Sequence, residues 1–205
     1  MAAKSIVIGL TGPTGAGKST VSRAFVDRGC AVIDADQVAR EVSRSDRDCL
    51  RELAEAFGKD ILRPDGSLDR KLLASRAFAD PRSDERLNQI THPRIMERIK
   101  NQIHDYFSKG YTIIILDAPL LFESGAQAQC TCVLSVTAPA EKRLRRIMER
   151  DSIGREEALL RMSAQKDDKY YISRSQYHLE NSGGVQALYH QASRLLDKIL
   201  KEQGG

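Results

Sequence analysis

The sequence predicts an α/β fold, a mostly parallel sheet in three layers with flanking helices, and three observations carry that prediction. Short apolar runs alternate with stretches of helical period along the 205 residues, which is the pattern of βα units. The first apolar run passes directly into a glycine-rich loop and then into a helical pattern, as the opening strand of a parallel sheet does. The composition, 41% hydrophobic and 29% charged, suits one globular domain with a substantial core.

The elements follow in order. Residues 6–10 read as a buried strand and residues 19–28 as a helix that Gly29 stops. Residues 31–33 form a short second strand, followed by Asp34-Ala35-Asp36. From residue 37 to about 109 the pattern is mainly helical, broken at Arg63-Pro64-Asp65-Gly66. So long a strand-free stretch implies helices that project over the sheet. Residues 111–116 are the clearest strand and end at Asp117-Ala118-Pro119; residues 132–136 are the next. An arginine-dense helix is expected over 139–150, a second over 155–166, a last strand over 177–179 and a closing amphipathic helix over 185–201. No internal repeat or low-complexity linker divides the chain, so it reads as one domain with insertions.

Several function classes fall away. The net charge of +4 is mild, and no dense basic run with interleaved aromatics points to nucleic acid. No apolar run approaches the ~20 residues of a membrane helix. The N-terminus reads as a strand entering a loop rather than a signal peptide. Cys30, Cys49, Cys130 and Cys132 lack metal or redox spacing. They read as buried free thiols, and a reduced cytoplasmic location is expected.

The loop itself is Gly12-Pro13-Thr14-Gly15-Ala16-Gly17-Lys18-Ser19, which meets the phosphate-loop pattern with a strand before it and a helix after it. Glycines let the backbone turn successive N–H groups toward phosphate oxygens. The helix beginning near Ser19 points its positive end the same way. Gly12, Gly15, Ala16, Gly17, Lys18, Ser19 and Thr20 are therefore the candidate ATP-binding residues, with Ser19 a candidate Mg²⁺ ligand. Asp117, at the end of its strand, is the second candidate ligand, or a turn residue.

The chain has no Asn-Lys-x-Asp guanine-reading motif. A small chain with a helical insertion and an arginine-rich helix looks like a small-molecule kinase, although a nucleotide-dependent binding or switch protein remains open on these residues. Asp34 and Asp36 lie beyond the second strand, where ligands of open α/β sheets bind. One of them can take the proton of an attacking hydroxyl, or either can cap the following helix, for which Asp36 is the better placed. On the arginine helix, Arg143, Arg146 and Arg150 share a face and Arg145 does not. Arg150 is the first candidate to stabilise the transferring phosphoryl group and Arg146 the second. His92 precedes Pro93 and is expected to be extended. Gln165 is expected to sit in a polar helix and to be solvated unless a lid closes over it.

Taken together, the motifs resemble the dephospho-CoA kinase family. Gly9-Leu10-Thr11-Gly12, Ile33-Asp34-Ala35-Asp36 with Ala39-Arg40, His92-Pro93, Asp117-Ala118-Pro119-Leu120-Leu121-Phe122-Glu123, Ala164-Gln165 and Asn181-Ser182-Gly183 match in order and rough spacing. The resemblance implies a P-loop kinase-like fold. Its core would span about 1–36, 110–138 and 176–205, its helical CoA-binding region about 37–109 and its lid about 139–175. It implies transfer of the γ-phosphate of ATP to the ribose 3′-hydroxyl of dephospho-CoA. Another small hydroxyl acceptor is the alternative. It further implies Asp36 as base, Thr11, Arg40, His92, Leu121, Phe122 and Glu123 about the acceptor, and Asn181 near the adenine. The chain departs from the family pattern at Pro13 and Ala16, where a glycine and a serine are usual. It departs again at Tyr171 and at Ser175-Gln176, where an arginine and Ala-Asp are common.

Overall fold

The computed structural model describes residues 5–203. Its first half contains β1 (Ile6–Thr11), α1 (Lys18–Val26), β2 (Ala31–Asp34), α2 (Ala35–Ser45), α3 (Arg47–Phe57), α4 (Arg70–Ala77) and α5 (Pro81–Ser108). The second half contains β3 (Ile113–Asp117), β4 (Cys132–Thr137), α6 (Ala140–Asp151), α7 (Arg155–Ser163), α8 (Asp168–Ile172), β5 (Tyr177–Glu180) and α9 (Val185–Gln203). The chain divides into two compact units, residues 34–102 and the remainder. No helix among the described residues is long and apolar enough to cross a membrane.

The larger unit is built on a five-stranded sheet of order β2-β3-β1-β4-β5. β1 pairs in parallel with β3 and β4, and β4 with β5. Every residue of β1 and β4 is buried, which is why both are mainly apolar and uncharged on both faces rather than alternating apolar with charged residues. Ile8, Leu10, Leu134 and Val136 pack with Phe25 of α1 and with Leu188, Leu196 and Ile199 of α9. Each such side chain withdrawn from water contributes about 1.5–3 kcal/mol. Tyr111 lies outside β3, although its sequence suits a strand. Its N–H donates to the Tyr106 carbonyl (3.1 Å) and its ring meets Tyr106 edge-on at 5.4 Å, so it closes α5 instead. α8 is not evident in the sequence pattern: it is one short turn set by the Asp167 side chain, which accepts from the Tyr170 N–H.

The smaller unit is helical. Asp34 caps α2 by accepting from the Gln37 N–H (3.0 Å), Asp46 caps α3 and Asp69 caps α4. Each such cap is worth ~1 kcal/mol. The cap of α2 is therefore Asp34, and Asp36 stands within the first turn, contrary to the placement that favoured Asp36. The break at Arg63 to Gly66 is a tight turn closed by Arg63 N–H to Ser67 O (2.8 Å) and flanked by a bridge between Leu62 and Leu68. Leu53, Phe57, Ile61, Leu73 and Ala77 form the core, joined by Leu87, Ile90 and Ile95 of α5.

His92 is not extended. It and Pro93 lie inside α5. A proline disfavours helix at the preceding residue and deletes one helical hydrogen bond, but packing of Leu87, Ile90 and Ile95 into the core holds the helix through this point. Beside the proline, Arg94 donates to the Ile90 carbonyl (2.7 Å) and to Glu52 (2.8 Å), tying the weakened stretch to α3.

Candidate nucleotide site

The phosphate loop leaves β1 at Gly12, whose φ of +134° no other residue adopts readily, and a Cβ there would lie 2.1 Å from the Val136 carbonyl oxygen. Gly17, at φ +109°, turns the chain into α1, and a Cβ there would meet the Asn181 amide nitrogen at 2.5 Å. These two glycines are required by close backbone approach as well as by torsion. Lys18 reaches back over the loop to donate to the Gly12 carbonyl (2.9 Å). Asp117 pairs in register with Leu10, and Ala118 N–H donates to Leu10 O (3.0 Å), so this carboxylate stands beside the strand that delivers the loop.

The loop carbonyls are held from outside. Asn181 Nδ2 donates to Ala16 O (2.8 Å) and Arg146 Nη1 to Gly15 O (3.0 Å). Arg143 Nε donates to Thr14 O (3.2 Å), the Thr14 N–H donates to Gln165 Oε1 (2.9 Å), and Arg150 Nη2 donates to the Thr14 hydroxyl (3.3 Å). In a trans peptide the C=O and the following N–H point in opposite directions. Carbonyls of Thr14, Gly15 and Ala16 drawn outward therefore turn the N–H groups of Gly15, Ala16 and Gly17 inward, which makes an anion cradle. Ala16 N–H meanwhile lies 3.3 Å from Pro13 O, a long bond that a phosphate oxygen can replace. Both family departures in the loop are tolerated: Pro13 offers that carbonyl, and the Ala16 methyl lies in the main core.

The shared face of α6 is borne out, since Arg143, Arg146 and Arg150 all reach the loop, whereas Arg145 is exposed. Arg143 also pairs with Asp168 of α8 (3.0 Å). Arg150 pairs with Asp151 (2.7 Å), which pairs in turn with Arg161 (2.6 Å). The Arg150 hydrogen bond holds the Asp151 carboxyl below its ordinary range. Gln165 is not a solvated helix residue: α7 ends at Ser163, which frees Gln165 to meet the loop. Arg143 and Gln165 are the loop contacts that sequence reasoning undervalued. The i, i+3 spacing of Arg143 and Arg146 was the available signal for the first, and the Ala164-Gln165 pair of the family pattern for the second.

The acceptor-side predictions fare differently. Thr11 is fully buried and donates to Pro119 O (3.2 Å), and Leu121 is fully buried in the core. Neither side chain reaches a ligand surface in this structure, because both close the packing around β1. Phe122 meets Tyr170 edge-on at 6.0 Å, while Glu123 is exposed. Asp36 and Arg40 are exposed and one turn apart on α2, with Arg40 Nε donating to Asp36 O (3.1 Å). His92 is half-buried in α5. Asn181 is a loop brace, 4% exposed, whose Oδ1 has no partner among the described residues. Among the lid departures, Tyr171 is buried in α8, and Gln176 accepts from Val133 N–H (2.7 Å) at the edge of β4.

A family model described as dephospho-CoA kinase matches residues 6–187. The chain belongs to the dephospho-CoA kinase family. A dephospho-CoA kinase of Corynebacterium glutamicum is 38% identical across 94% of this chain and 96% of its own. A solved structure from Thermus thermophilus is 33% identical with a TM-score of 0.78, covering 98% of this chain and 100% of that one. Dephospho-CoA kinase from Campylobacter jejuni is 25% identical with a TM-score of 0.72, covering 96% and 98%. The chain is thus an ATP-dependent phosphotransferase of coenzyme A biosynthesis on a P-loop kinase fold. Among the described residues no group of three or more His, Cys, Asp and Glu is placed to hold a metal ion. The oxygens of Ser19, exposed at the start of α1, and of Asp117 suit Mg²⁺, which is normally carried mainly by substrate phosphates and water.

Proposed function

We propose that this dephospho-CoA kinase family member moves the γ-phosphate of ATP to the ribose 3′-hydroxyl of dephospho-CoA, with Asp36 as base and residues 37–109 and 139–175 as acceptor region and lid. The observation that carries the donor half is the cradle formed by Gly15, Ala16 and Gly17, whose carbonyls are braced by Arg143, Arg146 and Asn181. The acceptor is supported by the names of the relatives and by the Asp36 and Arg40 pair.

In this reading the loop N–H groups and Lys18 bind the phosphates. Lys18 and Arg150 offset charge that grows on the transferring group, acting mainly on the transition state. Mg²⁺, held by Ser19 and Asp117 with the nucleotide, would screen the phosphate charge. Asp36 accepts the hydroxyl proton as the oxygen attacks. Arg40, His92 and Glu123 border the acceptor, and Asn181 acts on the nucleotide through the loop. Water must be excluded so that phosphate goes to the acceptor rather than to solvent.

A coupled assay with ATP, Mg²⁺ and dephospho-CoA tests the reaction; folded protein that forms neither ADP nor CoA would refute it. Asp36→Asn is expected to lower kcat about 10²- to 10⁴-fold, the usual contribution of a general base, with the KM for ATP little changed. Survival of turnover at saturation would remove Asp36 from that role.

A further inference from the structure

The helical unit contains a cavity of about 600 Å³ whose lining includes Arg44, Arg63, Arg70 and Lys71, two serines, Leu68 and no carboxylate. Arg63 is partly neutralised by Asp69 at 3.2 Å. Among the described residues Arg44 and Lys71 form no ion pair, and Arg70 gives its guanidinium to the Arg40 carbonyl (3.2 Å). Arg70 and Lys71 also occupy the first turn of α4, which carries no acidic residue. The positive end of a helix disfavours cations. The Asp69 cap offsets that positive end, but four cations around a cavity whose lining includes no carboxylate still make a place for an anion.

The position says which anion. Asp36, Arg40 and Arg44 recur every four residues along α2, so they share a face. Arg40 lies about 6 Å and Arg44 about 12 Å along the axis from Asp36. The proposed acceptor has its 3′-hydroxyl and its 5′-diphosphate on one ribose, a few bonds apart. A hydroxyl at Asp36 sets the diphosphate toward Arg40 and the cavity. A second cavity of about 810 Å³ shares Arg44 and includes Leu50, Ala54 and Leu62 in its lining, room for an acceptor that continues beyond its phosphates.

We infer that the cavity between α2 and α4 is the diphosphate subsite of the acceptor, with Arg44, Arg70 and Lys71 selecting a diphosphate-bearing nucleotide over a bare nucleoside. The inference rests on the proposed transfer to dephospho-CoA. Its test is the double variant Arg44→Gln/Lys71→Gln, neither side chain of which supports the fold through an ion pair. Loss of two charge-assisted contacts is expected to raise the KM for dephospho-CoA at least about tenfold. Changes in kcat and in the KM for ATP should be much smaller. Transfer to adenosine, which lacks the diphosphate, should suffer far less. Calorimetric titration of dephospho-CoA into ADP-saturated protein should show the same loss of affinity.

An unchanged KM for dephospho-CoA in the double variant, or an equal loss with adenosine, would overturn the subsite while leaving the reaction in place. Wild-type binding that the double variant loses, without turnover in either, would refute the reaction and keep the subsite.

Discussion

Replacing Asn181 with aspartate exchanges one amide nitrogen for oxygen and keeps the shape, so its effect isolates the brace on the phosphate loop. Asn181 Nδ2 donates to Ala16 O at 2.8 Å from a side chain that is 4% exposed. An ionised carboxylate there would set oxygen against oxygen in a site that water scarcely enters, so the folded protein holds the neutral acid and donates through its proton. The folded pKa then lies above the unfolded value of ~4. The folded state binds more protons than the unfolded one over that window, so stability falls as pH rises through it. The slope is about 1.4 kcal/mol per pH unit until the folded carboxyl ionises. The deficit against wild type is thus about 1.4 kcal/mol at pH 5 and up to about 4 kcal/mol at pH 7. For a chain of this length 1 kcal/mol moves the midpoint by about 2–4 °C. Thermal unfolding followed by circular dichroism should show a Tm deficit of about 3–6 °C at pH 5 that widens to about 8–16 °C at pH 7. Asn181→Leu should show a deficit independent of pH, because it only strips the Ala16 carbonyl of its donor. An Asn181→Asp deficit equal at both pH values would refute the buried-brace reasoning.

Other consequences follow from the same geometry. Gly12→Ala puts a methyl 2.1 Å from Val136 O at a positive φ, so the loop must shift; an ATP titration should show affinity reduced beyond measurement, and wild-type affinity would contradict the close approach. Gln165→Leu leaves the Thr14 N–H without its acceptor; a loss of up to about tenfold in kcat/KM for ATP is expected, with Tm nearly unchanged, and an unaffected kcat/KM would reduce this contact to an incidental one. Burial pushes the thiols of Cys30, Cys49 and Cys132 up to about 11 and that of Cys130 up to about 12. At pH 8 native protein should therefore react slowly with a thiol reagent and rapidly once unfolded. Fast labelling of the native state would show that these thiols are not buried.

Much of the donor half was legible in the chain. Gly12, Gly17, Lys18 and Ser19 announce their torsions and charge by residue type alone, and β1 and β4 announce burial on both faces by mainly apolar runs without charged residues. The arginine face of α6 followed from helical period. The acceptor half was read less well, because motif residues serve packing as often as ligands. Thr11 and Leu121 recur in the family pattern yet close the core, and the partner of Asn181 is the Ala16 carbonyl, 165 residues earlier. His92 was misread because a local proline rule competes with the packing of a whole helix, and the packing of Leu87, Ile90 and Ile95 prevails.

By itself, the sequence determined the succession of strands and of the main helical stretches, the phosphate loop and the family, since each depends on residue type and short spacing. Only the tertiary structure decided which side chains brace that loop. Thr14 is reached from Arg143, Arg150 and Gln165 at once, and such convergence depends on where α6 and the end of α7 pack, which no local pattern encodes. The basic cavity between α2 and α4 is of the same kind. Arg44 and Lys71 are ordinary surface residues in the chain, and they become a site only when Asp69 caps α4 and Arg70 reaches the Arg40 carbonyl, because separate helices must meet before their charges can act together.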